Sequence, residues 1–330
     1  MTLGRSFAIT GASGYLGTAL AQELGARAAM LRLVSRSALP PVQYGAAKIE
    51  TIVADLREPA AWATVLDGVH TVFHLSAQTN LRWAEANATA DADANVRPLA
   101  ALLAAAAERP VRIVFASTAT VVGLPDTVHI DETLPDRPVS VYDRHKLEAE
   151  RLLAAAITSR RRGCSLRLGN VYGYGAQSRN GERSVLNFMM RRALAGQPLT
   201  LYGEGRAVRD WIHVRDVVAA FVAAAAAPDG VLDGSHYLIG TGVGHSLAEA
   251  FRAVAAEAAR LTGRAVAVTE VPEPADLHPI ERRSAIIDAQ RFIAATGWTP
   301  RIALAAGIAE DLPNYLSDSV KLAPAQGAVT

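Results

Sequence analysis

Cysteine is nearly missing from this chain. Cys164 stands alone among 330 residues, so neither an internal disulfide nor a cysteine-based metal site can be built, and no metal is expected. Such usage fits a reducing compartment. Lysine is almost as scarce: Lys48, Lys146 and Lys321 are the only three among 33 lysines and arginines. An excess of either charge is also lacking, since the formal net charge is +1. That leaves no electrostatic footprint for nucleic acid. Long apolar runs are absent too. The longest, 217–227, is far short of the about 20 residues a membrane helix needs. Residues 1–17 lack the charged stretch and following apolar run of a signal peptide. These absences predict a cytoplasmic protein that engages neither nucleic acid nor membrane.

What is present is a half-hydrophobic chain, enough for one large or two modest cores. Its first half alternates β-rich and helical runs. Strands are predicted at 6–10, 30–35, 49–54, 71–75, 111–116 and 165–168, and helices at 14–24, 59–66, 83–108 and 141–162. Pro98 should kink or split the third helix. Arg160, Arg161 and Arg162 would close the fourth, where cations favour the helix dipole. This alternation implies a parallel sheet covered on both faces. After Gly169, glycine and proline punctuate more often. Residues 217–227 and 251–261 read as buried helices, and 311–330 as a polar, frayed tail. The expected fold class is α/β: a doubly wound parallel sheet over 1–170 and a smaller, mixed α/β domain over 171–330, with about 207–240 returning to the first domain.

The segment from Phe7 to Gly17 leaves the first strand through Thr10-Gly11-Ala12-Ser13-Gly14-Tyr15-Leu16-Gly17 and enters a helix. A glycine-rich turn there lets backbone N–H groups and a helix N-terminus face a pyrophosphate, as in a Rossmann-type dinucleotide site. The second strand ends Ser35-Arg36-Ser37, where NAD sites usually place a carboxylate for the ribose hydroxyls. Arg36 can instead hold a 2′-phosphate, which makes NADP(H) the expected cofactor. Asp55, after the third strand, can reach the adenine amino group or cap the next helix. Leu75, Ser76 and Ala77 follow the fourth strand, where a cofactor must cross the sheet.

Tyr142 and Lys146 are four apart on a predicted helix and share a face. Ser117 and Thr118 close the fifth strand just upstream. Tyrosine titrates near ~10, and an adjacent ammonium together with a nicotinamide cation should favour tyrosinate. Lowering that pKa by ~3 units needs ~4 kcal/mol, after which Tyr142 can serve as a general acid or base.

On the glycine loop, the strand-end hydroxyl and Tyr142-x-x-x-Lys146, the chain resembles the extended short-chain dehydrogenase/reductase family along most of its length. The resemblance implies Thr118 as the hydroxyl partner and Asn95 as a residue near tyrosine and cofactor. It implies cofactor contacts at Gly11, Ser13, Gly14, Tyr15, Leu16, Gly17, Ser35, Arg36, Ser37, Asp55, Leu56, Leu75, Ser76, Ala77, Asn95, Ala116, Ser117, Tyr142, Lys146 and Leu168. The runs Leu199–Gly205 and Val208–Asp216 are similar to those enclosing substrate in the nucleotide-sugar branch. That implies a nucleotide-sugar ligand touching Gln78, Thr118, Asn170, Val185, Leu201, Tyr202, Arg209 and Arg283, with Arg209 on the diphosphate. His278 stands where such members often carry arginine, and Arg283 is the compensating candidate. Dimerisation through the 83–108 and 141–162 helices is implied as well.

Dehydratases of this branch carry Asp-Glu after the threonine. Ala119 and Thr120 stand there, which excludes dehydration. The segments Val141–Leu147, Tyr237–Gly242 and Arg283–Asp288 resemble 4-ketoreductases of dTDP-4-keto-6-deoxyhexoses in actinomycete deoxysugar pathways. The expected reaction is NADPH-dependent reduction of the C4 ketone: Tyr142 donates the proton, Thr118 hydrogen-bonds the same oxygen, and Lys146 holds the ribose. The alternative is a nucleotide-sugar 4-epimerase with tightly bound NAD. A non-sugar carbonyl reductase and a non-catalytic NADP-sensing regulator are weaker readings.

Overall fold

The computed structural model describes residues 5–175 and 184–322, with side chains through residue 317. The first half runs β1 (Ser6–Thr10), α1 (Tyr15–Gly25), β2 (Met30–Ser35), β3 (Lys48–Val53), α2 (Pro59–Leu66), β4 (Thr71–His74), α3 (Leu81–Ala86), α4 (Ala88–Asn95), α5 (Arg97–Ala105), β5 (Val111–Thr118), β6 (His129–Ile130), α6 (Val141–Ala155) and β7 (Arg161–Leu168). The second runs β8 (Asn170–Tyr172), α7 (Val185–Leu194), β9 (Leu199–Tyr202), β10 (Val208–His213), α8 (Val214–Ala226), β11 (His236–Ile239), β12 (Gly244–Ser246), α9 (Leu247–Thr262), β13 (Val268–Val271), β14 (Ile286–Ile287), α10 (Gln290–Thr296) and α11 (Leu304–Leu322).

Seven parallel strands form the central sheet in the order β11-β7-β5-β4-β1-β2-β3. Strands β1, β4 and β5, inside the sheet, carry near-continuous apolar runs because both faces are covered. One face buries Phe73, Val114 and Leu166 against Leu20 and Leu24 of α1 and Val217 and Phe221 of α8. The other buries Val72, Ile113 and Phe115 against Trp62 of α2, Leu99 and Leu102 of α5 and Leu153 of α6. The chain reverses its direction of winding between β1 and β4, and the crevice beyond the strand C-termini there is where open α/β sheets take ligands. A second core joins α7, α9 and α11 through Leu186, Met190, Phe251, Val254 and Leu312. Strand β11 and helix α8, late in the chain, pack back into the first core.

Four expectations change. The 83–108 helix is three helices: Pro98 lies at the second position of α5, and the break falls at Val96. Helix α6 stops at Ala155 rather than residue 162, because the Thr158 hydroxyl accepts from the backbone N–H of Arg160 and Arg161 and turns the chain. Arg161 and Arg162 therefore open β7, and Arg161 reaches back from the strand to the carbonyls of Ala156 and Leu103 at the ends of α6 and α5. Residues 311–322 continue α11, with Leu312 and Tyr315 buried. The rest of the expected tail, 323–330, lies outside the described residues. No described helix is long and apolar enough to cross a membrane.

Candidate active site

Gly11 sits at φ +66°, and a Cβ there would meet the Ser76 backbone at 2.9 Å. A Cβ on Gly17 would stand 2.2 Å from the Gly11 carbonyl oxygen. These two glycines let strand, turn and helix close on one another. Gly14 caps α1 with no side-chain bond and no acidic residue in the first turn, so the helix N-terminus is left for an anion. The Thr10 hydroxyl accepts from the N–H groups of Leu75 and Ser76 and lies 3.1 Å from Nδ1 of His74. Thr10 thereby fixes the loop facing Gly11, a task its place before the glycines did not reveal. Burial pushes the His74 imidazole down to about 3, so it stays neutral within the core.

Ser35 ends β2 and Arg36 and Ser37 follow it, with Arg36 exposed and without a hydrogen bond or ion pair among the described residues. Asp55 does not cap α2, whose N-cap is Glu58. Its carboxylate is taken by the side chain and N–H of Arg57, which, with the charge of Arg36, hold it down to about 2. Leu56 is buried. Asn95 spends its amide on the Gln78 main chain, accepting from its N–H at 3.2 Å and donating to its carbonyl at 3.1 Å. It orders the 75–80 loop, and Gln78 in turn accepts from the Asn80 N–H. The Tyr15 hydroxyl is committed to the Gly173 carbonyl at 2.6 Å, so its phenol tethers the two halves of the chain.

A cavity of about 400 Å³ opens beyond the ends of β5 and β7. Thr118, Tyr142, Leu168, Asn170, Val185 and Arg283 line it, as do Thr79, Leu81, Thr120, Ser184 and Trp211. Ala116 and Ser117 lead β5 up to it, with Ser117 buried. Ser140 caps α6, its hydroxyl accepting from the Asp143 N–H at 3.0 Å, and Glu85 accepts from the Val141 N–H at 2.7 Å. Those bonds set Tyr142 on the cavity and put Lys146 one turn below, buried, with Nζ 4.1 Å from the Phe115 ring centre. Burial drives Lys146 down to about 7, against the pull of Glu150 and Asp91. Burial also raises the Tyr142 phenol well above its ordinary value, and Asp143 and Asp91 add to the rise. The protein's own groups thus oppose the tyrosinate expected from the sequence: they keep the phenol protonated.

Two expected substrate contacts move. Leu201 is buried in the second core among Met189 and Leu199, and does not face the cavity. The Arg209 guanidinium is buried and donates to the carbonyls of Val208, Glu281 and Arg283. It anchors the 281–283 segment, and it is Arg283 that reaches the cavity wall. Tyr202 is exposed at the end of β9. The sequence reading missed Trp211. Its indole Nε1 is buried without a hydrogen-bond partner among the described residues, on the same wall. Among the described residues no cluster of three metal-ligating side chains occurs.

The profile described as the NAD dependent epimerase/dehydratase family matches residues 7–240, the span that carries the loop, the cavity hydroxyls and the Tyr142–Lys146 pair. The chain belongs to that family. As such an epimerase/dehydratase member, it is 30% identical over 323 residues to a UDP-glucose 4-epimerase of Mycolicibacterium smegmatis, covering 94% of this chain and 98% of the relative. It is 27% identical to a dTDP-L-rhamnose 4-epimerase of Burkholderia thailandensis, covering 93% and 94%. Among solved structures, MoeE5 in complex with UDP-glucuronic acid and NAD superposes with a TM-score of 0.80 at 28% identity, over 95% of this chain and 99% of that one. The family's sheet and helical layers are thus those described above, and a nicotinamide-dependent enzyme of oxidoreductase-type fold follows.

Proposed function

We propose that this chain acts at C4 of a nucleotide-activated hexose as a 4-epimerase, by hydride transfer to and from a bound nicotinamide. The observation that carries the reading is one cavity wall shared by Thr118, Tyr142 and Asn170, beside a glycine loop whose helix N-terminus is uncapped. The names of the relatives support the epimerase reading, as do the NAD and UDP-sugar in the MoeE5 structure. Gly11, Gly14, Gly17 and Lys146 would hold the dinucleotide, which supplies the hydride acceptor and donor. The charge of an oxidised nicotinamide would offset the groups that hold the Tyr142 phenol protonated; as phenolate, Tyr142 takes the proton from the sugar 4-hydroxyl and returns it after the ketone has turned. Arg283, Asn170 and Trp211 hold the nucleotide end, so that binding energy orients C4.

A second reading, the 4-ketoreductase, is favoured by Arg36. Among the described residues its guanidinium makes no hydrogen bond or ion pair at the end of β2, where a ribose-binding carboxylate would favour NAD, and the nearby Asp55, which feels its charge, is engaged by Arg57. That arrangement fits the 2′-phosphate of NADP(H). The deciding experiment is to denature purified protein and identify any released dinucleotide, then assay UDP- and dTDP-hexoses without added cofactor. Released NAD and cofactor-free interconversion at C4, lost in Tyr142→Phe, support the epimerase. NADPH oxidation by a dTDP-4-keto-6-deoxyhexose, without interconversion, replaces it with the reductase. If neither reaction occurs, both readings fall.

A further inference from the structure

Behind the cavity lies a chain of hydroxyls that no step above has used. Thr118 Oγ1 is 2.7 Å from Thr120 Oγ1, and Thr120 donates to Oδ1 of Asp143. Asp143 is fully buried in the first turn of α6, next to Tyr142. A carboxylate oxygen only accepts, so the Thr120 hydrogen is committed to Asp143. Thr120 Oγ1 must then accept from Thr118, which commits the Thr118 hydrogen as well. Thr118 Oγ1 also accepts from the Thr120 N–H at 3.2 Å, leaving one lone pair facing the cavity. The other carboxylate oxygen, Oδ2, is buried without a partner among the described residues. A proton placed on it would leave the bond to Thr120, and the direction of the chain, unchanged.

We propose that Asp143, acting through Thr120, fixes the polarity of the Thr118 hydroxyl, so that Thr118 presents a lone pair rather than a hydrogen to the reacting oxygen. Asp143 and Thr120 are positioning residues in this scheme, which rests on the C4 hydride-transfer reading. It reverses the role expected for Thr118 from the sequence. A lone pair accepts the hydrogen of a sugar 4-hydroxyl until Tyr142 takes it, and repels the oxygen of a 4-ketone. The site thereby favours the alcohol over the ketone while Tyr142 supplies the donor that the ketone requires. Arg283 is the cation beside Asp143, and Ser140 and Thr120 are the hydroxyls that pull its carboxyl down against the burial that raises it. Asp91 and Glu85 face the same first turns of α6 from α4 and α3.

Two measurements test the polarity. The first is the fraction of enzyme-bound nicotinamide that is reduced at equilibrium with a nucleotide hexose, read from near-ultraviolet absorbance. Thr120→Val frees the Thr118 hydrogen to turn toward the ketone, so the ratio of bound ketone to alcohol should rise about tenfold. Thr120→Ser, which keeps the hydroxyl, should restore the original ratio. An unchanged ratio in Thr120→Val overturns the proposal. The second needs no substrate: isotope-edited infrared titration of the Asp143 carboxyl. Its midpoint should move up in Thr120→Val and stay in place in Thr120→Ser, and an unmoved midpoint in Thr120→Val overturns the proposal as well. If wild-type protein reduces no cofactor with any nucleotide hexose, the C4 reading itself fails, and the infrared result still decides which way the hydroxyls point.

Discussion

Lys146 shows how far a single residue can be set against its own comfort. It is buried beside Phe115, and burial lowers its pKa from 10.5 to about 7. Between those values the unfolded chain binds the proton that the folded chain has released, so stability rises with pH across that window. Below it both states carry the proton and the full cost of burying the ammonium remains. Lys146→Met should remove that cost, raising stability near neutrality by about 0.5–2 kcal/mol while lowering turnover. Denaturant midpoints near neutrality and at the alkaline side of the window should converge with wild type as pH rises. A variant less stable than wild type at both would sink the idea. The pair Tyr142-x-x-x-Lys146 was legible in the sequence because i and i+4 share a helix face. The direction of the Tyr142 shift was not, because Asp91 and the surrounding burial come from other elements. The same holds for Arg209: two of the three carbonyls that occupy it lie more than seventy residues onward.

At the scale of elements, β1, β2 and α2 fall on the expected boundaries because each is punctuated locally: Gly11 after β1, Arg36 and Ser37 after β2, Pro59 at the start of α2. Helix α6 was overextended because alanine and arginine propensity hid the Thr158 turn. The β1–α1 junction offers the strictest local test. A Cβ on Gly17 would meet the Gly11 carbonyl and the Ala12 backbone, at 2.2 and 2.8 Å, and neither is a flexible side-chain end. Gly17→Ala must therefore push α1 away from β1. It should cost about 1–3 kcal/mol and abolish dinucleotide binding, since the helix N-terminus moves off the turn. Cofactor titration alongside a denaturant curve checks both, and intact binding in a destabilised variant would detach Gly17 from the cofactor.

At the scale of the whole molecule, the cofactor loop and the cavity are joined through the backbone of one residue, Gly173. Gly173 follows β8, which carries Asn170, and has φ +127°, where a Cβ would lie 2.7 Å from Nε2 of His213. Its carbonyl accepts from Tyr15 at 2.6 Å and Tyr315 at 3.2 Å, and its N–H donates to Asn187 at 2.8 Å. Tyr15 is the first residue of α1, Asn187 belongs to α7 and Tyr315 to α11. Three elements thus hold the position of the substrate wall relative to the glycine loop. Tyr15→Phe should cost about 0.5–1.5 kcal/mol, because Tyr315 still satisfies the carbonyl. Asn187→Ala should cost about 1–3 kcal/mol, because it strands a buried N–H. Since both act on Gly173, their effects should fail to add by about 0.5–3 kcal/mol in a double-mutant cycle. Tyr15→Phe should also weaken nucleotide-sugar binding, although its backbone lies on the cofactor side. Strict additivity, with substrate affinity unchanged, would mean that the two halves of the site are held independently and that the clamp only stabilises the fold.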